Sequence, residues 1–156
     1  MALLSGLLGL LGCGKPEPKD QWSVATGSDA GFPMIVRFRN QIPSGVHPAD
    51  YPHLMAVSWE YQPQTNGMPS SEVTQRMEEL EDLLDKGLEA NREAFMTVAV
   101  TCKGRREWQW YARDDNEFMT LFNSALAGKP PFPVQISHQH DKEWAAYRRI
   151  QEGARP

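Results

Sequence analysis

RREWQWYARDDNEFMTLFNSALAG, residues 105–128, is the stretch that decides the fold. Its first half alternates. Trp108, Trp110 and Ala112 fall on one side of an extended chain, and Glu107, Gln109, Tyr111 and Arg113 on the other. Period-two alternation of large apolar and polar residues predicts a half-buried strand. The second half changes to helical spacing, with Phe118, Leu121, Phe122 and Ala125 on one stripe. Asp114 followed by Glu117 resembles a capping box with Asp in place of Ser or Thr. Gly128 can close the helix in the left-handed conformation, and Pro130 stops its continuation.

Working upstream, Lys103-Gly104 is a tight turn joining this strand to residues 94–102, AFMTVAVTC, so the two form a hairpin. Strict alternation there places Met96, Val98, Val100 and Cys102 on the core face, and Phe95, Thr97, Ala99 and Thr101 on the other. Before that strand, Ser70 or Ser71 caps a helix whose stripe is Val73, Met77, Leu80, Leu84 and Leu88. Glu78, Glu79, Glu81 and Asp82 lie largely off the stripe and read as a solvated face. Residues 53–61 are a strand with Met55, Val57, Trp59 and Tyr61 on one side and Leu54, Ala56, Ser58 and Glu60 on the other. Residues 22–26 and 33–39 make a hairpin, and the glycines at 27–31 mark its break. In the second strand Met34, Val36 and Phe38 fall on one face and Ile35, Arg37 and Arg39 on the other, the pattern of a half-buried strand. Downstream, residues 132–138 form a last strand. Asp141 caps a short helix in which Trp144 and Tyr147 pack inward.

From Leu54 on, the order is β-α-β-β-α-β plus a terminal helix. This predicts an α+β fold with a ferredoxin-like split βαβ antiparallel sheet and two long helices on one face. An N-terminal β-hairpin and a short C-terminal helix are added to it. The domain spans residues 22–150, preceded by an apolar leader and Pro/charged linker at 1–21 and followed by a flexible tail at 151–156. A chain of 156 residues suits one core of this kind.

The formal charge of -4 and isoelectric point near 5.6 argue against nucleic acid as a partner through net charge. Two cysteines in dissimilar settings, Cys13 and Cys102, do not make a disulfide framework. No apolar run reaches the ~20 residues of a membrane-spanning helix. Residues 1–12, MALLSGLLGLLG, followed by Cys13 look like a lipoprotein signal, but no Lys or Arg precedes the apolar run. The expectation is a cytoplasmic chain with a short leader. The alternative is an envelope protein lipid-anchored through Cys13, and only then is a membrane a partner.

The chain resembles a bacterial family called domain of unknown function 695. The resemblance rests on residues 33–39, 51–61, 101–114 and 131–147, and is strongest at Arg106-Glu107-Trp108-Gln109-Trp110-Tyr111 and at Asp141-Lys142-Glu143-Trp144. It implies no assigned activity, catalytic residues or cofactor. Related domains joined to a module similar to a ribonuclease-inhibiting regulator imply a regulatory or binding role by analogy alone.

Candidate sites are few. No P-loop, dinucleotide glycine fingerprint, Gly-x-Ser-x-Gly elbow or His-Glu-x-x-His is present. Asp114 and Asp115 could act as paired carboxylates, but helix capping explains them more simply. His138, His140 and Asp141, with His47 and His53 elsewhere, offer N and O ligands for a metal-dependent hydrolase. Their loose spacing favours an ordinary polar strand end. The second sheet face, carrying Ser58, Thr97, Glu107, Gln109, Tyr111 and Arg113, is the expected binding surface. It lacks the Gly-aromatic signature of RNA-stacking sheets, so it suits a protein partner or a second copy. The leading expectation is a non-catalytic protein-binding or regulatory module without a cofactor.

Overall fold

A computed structural model describes residues 20–154. The leader, Cys13 and the lipoprotein reading lie outside the described residues. The elements are β1 (Trp22–Asp29), β2 (Phe32–Arg39), β3 (His53–Glu60), α1 (Ser71–Leu84), β4 (Ala94–Cys102), β5 (Arg105–Ala112), α2 (Asp115–Leu126), β6 (Val134–His140) and α3 (Ala145–Gly153). Six strands form a single antiparallel open sheet in the order β1-β2-β4-β5-β3-β6. The N-terminal hairpin extends the sheet by pairing β2 to β4. α1 links β3 to β4, which flank β5; α2 links β5 to β6, which flank β3. No helix among the described residues is long and apolar enough to cross a membrane.

The local signals act as their chemistry requires. Lys103 and Gly104 both take positive φ, the pairing a two-residue hairpin turn needs. The Ser70 hydroxyl accepts from the Val73 backbone N–H, and the Asp114 carboxylate from that of Glu117. Gly128 has φ 75° just past α2. β1 runs on through Gly27 to Asp29, because an edge strand tolerates a glycine that a central one would not. α3 continues to Gly153, and Gln151 Nε2 donates to the Asn40 carbonyl at 2.8 Å.

α1 and α2 lie on one face, where Met77, Leu80, Leu84, Leu88, Phe118 and Phe122 meet Met55, Val57, Trp59, Met96, Trp108 and Trp110. The apolar stripe outlasts the regular helix: after Leu84 the chain widens into a π-helical turn, Asp85–Glu89, which buries Leu88 completely. Gly87 in this turn faces α2. A Cβ added there would sit 2.7 Å from Ala125 Cβ, so only glycine lets the two segments approach so closely.

The acidic face of α1 is not uniformly solvated. Glu81 turns to the sheet, pairing with Arg37 and accepting from Trp108 Nε1 at 2.9 Å. Arg39, also expected on the polar side of its strand, is only 2 % exposed. It ion-pairs with Asp20 and Glu89, and its Nε donates to the Met96 carbonyl at 2.5 Å.

Asp85 lies in this charged layer with Oδ1 lacking a hydrogen-bond partner. Burial raises its pKa to about 6; Glu89 and Glu81 push the same way, and Arg39 and Arg37 oppose them. A folded pKa above the unfolded value means that the protonated form stabilises the fold. That contribution is complete below the ordinary aspartate value of 3.8 and is lost as pH rises through about 6. Asp85→Asn is therefore expected to stabilise the protein at pH 7.5 by about 1–2 kcal/mol, after allowance for solvent screening. The gain should vanish near pH 4. Thermal melts of both proteins across this range check the sign, and equal melting temperatures at pH 7.5 would refute it.

Candidate functional site

The second sheet face differs from its expected form in two ways. The first is a β-bulge. Met96 pairs with Trp110 and Val98 with the adjacent Gln109, so Thr97 is the extra residue. An extra residue shifts the side-chain phase by one. Val98, Val100 and Cys102 therefore move to the second face, and Ala99 and Thr101 to the helix-covered face. Thr97 itself is fully buried, its hydroxyl donating to the Gln109 carbonyl at 3.2 Å.

The second difference is that α3 covers half of this face. Trp144 and Tyr147 are completely buried against Val36, Phe38, Tyr51, Leu54, Phe95, Val98 and Tyr111. The indole of Trp144 stacks on the Tyr111 ring, centroids 4.3 Å apart and planes 13° from parallel. The Tyr111 hydroxyl donates to Asp141 Oδ2 at 2.8 Å. Burial, reinforced by this hydrogen bond, raises the Tyr111 pKa. Burial alone would raise that of Asp141, but donation from Ala146 and Ala145 N–H and from Tyr111, with Arg149 nearby, lowers it on balance.

The expected binding residues thus separate. Tyr111 and Thr97 are sealed inside, and Ser58 is 8 % exposed. Arg113 lies beyond β5, over the Tyr51 ring at 4.6 Å, with Nε donating to the Arg92 carbonyl. Glu107 and Gln109 remain half-buried on the uncovered part. Glu107 Oε2 accepts from Arg105 at 2.7 Å and Oε1 from Gln109 Nε2 at 3.1 Å. Gln109 Oε1 has no partner. Strand register sets Val36, Val100, Glu107, Ser58 and Gln135 in one row across the sheet. A hollow of about 220 Å³ is lined by Val100, Cys102, Arg105 and Glu107. A second, mostly apolar groove of about 310 Å³ runs between α3 and β1–β2, past Met34 and Ile150.

His53, His138 and His140 lie on the opposite, helix-bearing face, and His47 lies in the loop before β3. β6 starts and ends two residues later than expected, and His53 faces His140 across β3 and β6, while His138 faces Met55. His53 Nδ1 and His138 Nε2 share a hydrogen bond of 2.9 Å, and the His53 and His140 rings are perpendicular at 5.8 Å. The carboxylate beside them is that of Asp115, 3.7 Å from His138 Nδ1. Asp141 serves elsewhere: Oδ1 accepts from Ala145 N–H, and Oδ2 from Ala146 N–H and Tyr111. Among the described residues, the converging trio is His53, Asp115 and His138. Sequence reading paired neighbours along the chain. The signal that unites these three is the β3–β6 register, which depends on the completed sheet.

These features define an α+β domain whose sheet carries a two-helix layer on one face and a half-covered surface on the other. The chain belongs to a family of unknown function, DUF695, whose sequence pattern matches residues 20–150. Comparison with curated proteins and with solved structures gives no match.

Proposed function

We propose that the chain is a non-catalytic binding or regulatory module, and that its contact surface is the uncovered strip of the second sheet face. The observation that carries this reading is the row Val36, Val100, Glu107, Ser58 and Gln135, which runs from the groove beside α3, past the hollow at Cys102, to the edge strand β6. The strip mixes apolar and charged groups, Val100 beside Glu107 and Arg105. Such a composition suits a protein surface, either a second protein or another copy of this chain. The order β6-β3-β5-β4, with α1 and α2 each bridging strands that flank a third, supports reading the scaffold as a ferredoxin-like split βαβ.

A photo-crosslinking amino acid at position 107 tests the surface, with the same group at exposed position 117 on α2 as control. A discrete adduct at 107, absent at 117 and abolished by Val100→Glu, is the expected result. Equal labelling at the two positions, or an adduct indifferent to Val100→Glu, would remove the strip from consideration.

A further inference from the structure

We propose that His53, His138 and Asp115 form a binding site for a divalent transition metal of borderline softness, such as zinc, with the His140 ring beside it. This site lies on the opposite face of the sheet from the proposed contact surface, so the two readings stand or fall separately.

The donors come from three elements: the first residue of β3, the body of β6 and the first residue of α2. One ligand atom from each lies within 4.8 Å of the others. Zinc binds imidazole nitrogen at ~2.0–2.1 Å, so two nitrogens on one ion lie about 3 Å apart. His53 Nδ1 and His138 Nε2 already stand at 2.9 Å. The pairing of β3 with β6 holds all three imidazoles at one end of one sheet face.

Stability does not explain the arrangement. The His138 and Asp115 side chains are 39 % and 36 % exposed. A polar cluster so open to water contributes little to folding. The donor set also selects the class of ion. Imidazoles with one carboxylate suit zinc, nickel, cobalt or copper, whereas magnesium and calcium require oxygen ligands throughout. Three protein ligands leave a coordination position for water or an exogenous group.

Calorimetric titration of the full chain with zinc chloride at pH 7.5 tests the site. About one equivalent should bind, and His53→Ala or His138→Ala should each weaken binding by about tenfold or more, since either removes a ligand. His47→Ala, in the loop before β3, should leave affinity unchanged. Lowering the pH to 5.5 should weaken binding because protons compete for the imidazole nitrogens. Cobalt(II) provides an independent readout through visible absorption bands that His138→Gln should abolish. Zinc binding that survives the double replacement of His53 and His138, or the absence of both zinc heat and cobalt bands, overturns the proposal.

Discussion

Trp144→Ala is expected to lower the free energy of unfolding by about 3–5 kcal/mol, the usual cost of emptying a large aromatic site. Trp144 has no exposed surface and stacks on Tyr111. Its indole N–H donates to the Tyr51 carbonyl at 3.0 Å, and it meets the Tyr147 ring edge-on at 6.0 Å. Alanine loses the aromatic contacts and leaves that carbonyl without its donor. The backbone sharpens the test, because Trp144 has φ 56° and ψ 40°, a left-handed conformation that side chains disfavour. The structure accepts this strain to aim the indole under α3. Trp144→Gly removes the same contacts and relieves the strain, so it should be less damaging than alanine by about 1 kcal/mol. Urea unfolding of the two variants measures both effects. A loss below about 1 kcal/mol for alanine would show that α3 does not depend on this anchor.

The second large effect is expected at Arg39. Arg39→Ala should destabilise by about 3–5 kcal/mol, because it breaks a buried ionic network and leaves its partners behind. The guanidinium pairs with Asp20 and Glu89, donates to the Met96 carbonyl and lies over the Trp22 ring at 4.8 Å. Glu89 Oε2 also accepts from Met96 N–H at 3.4 Å. One network therefore ties β2, the π-helical turn and β4 just before the bulge. Arg39→Met keeps much of the apolar stem and should cost less. Chemical denaturation of both variants separates lost packing from stranded charge; equal costs would assign the effect to the stranded charges alone.

Much of the architecture was legible because it depends on chemistry local in the chain. Lys103-Gly104, the Asp114 cap and the Phe118–Phe122 stripe each specify their structure within a few residues. Trp144 and Tyr147 read correctly as inward-facing, since an amphipathic helix must bury its apolar side. Which surface they bury against is tertiary information, and it closed over Tyr111. The Thr97 bulge was equally hidden, because a threonine within a run of β-formers carries no mark of an unpaired position. Arg39 looked solvent-directed by alternation, and only its partners just before β1 and after α1 explain its burial. The trio of His53, Asp115 and His138 was legible least of all: the two histidines are 85 positions apart in the chain and meet through strand pairing.

The two-faced packing of β4 bears on how the molecule unfolds. The strand gives Met96 and Ala99 to the core beneath α1 and α2, and Phe95 and Val98 to the core beneath α3. Neither core can persist without this strand, and withdrawing the strand strips side chains from both. An intermediate retaining a single core would have to keep β4 in place with half of its apolar side chains in water. The two hydrophobic compartments are thus locked into one cooperative unit, and damage on either side of the sheet is shared by the other.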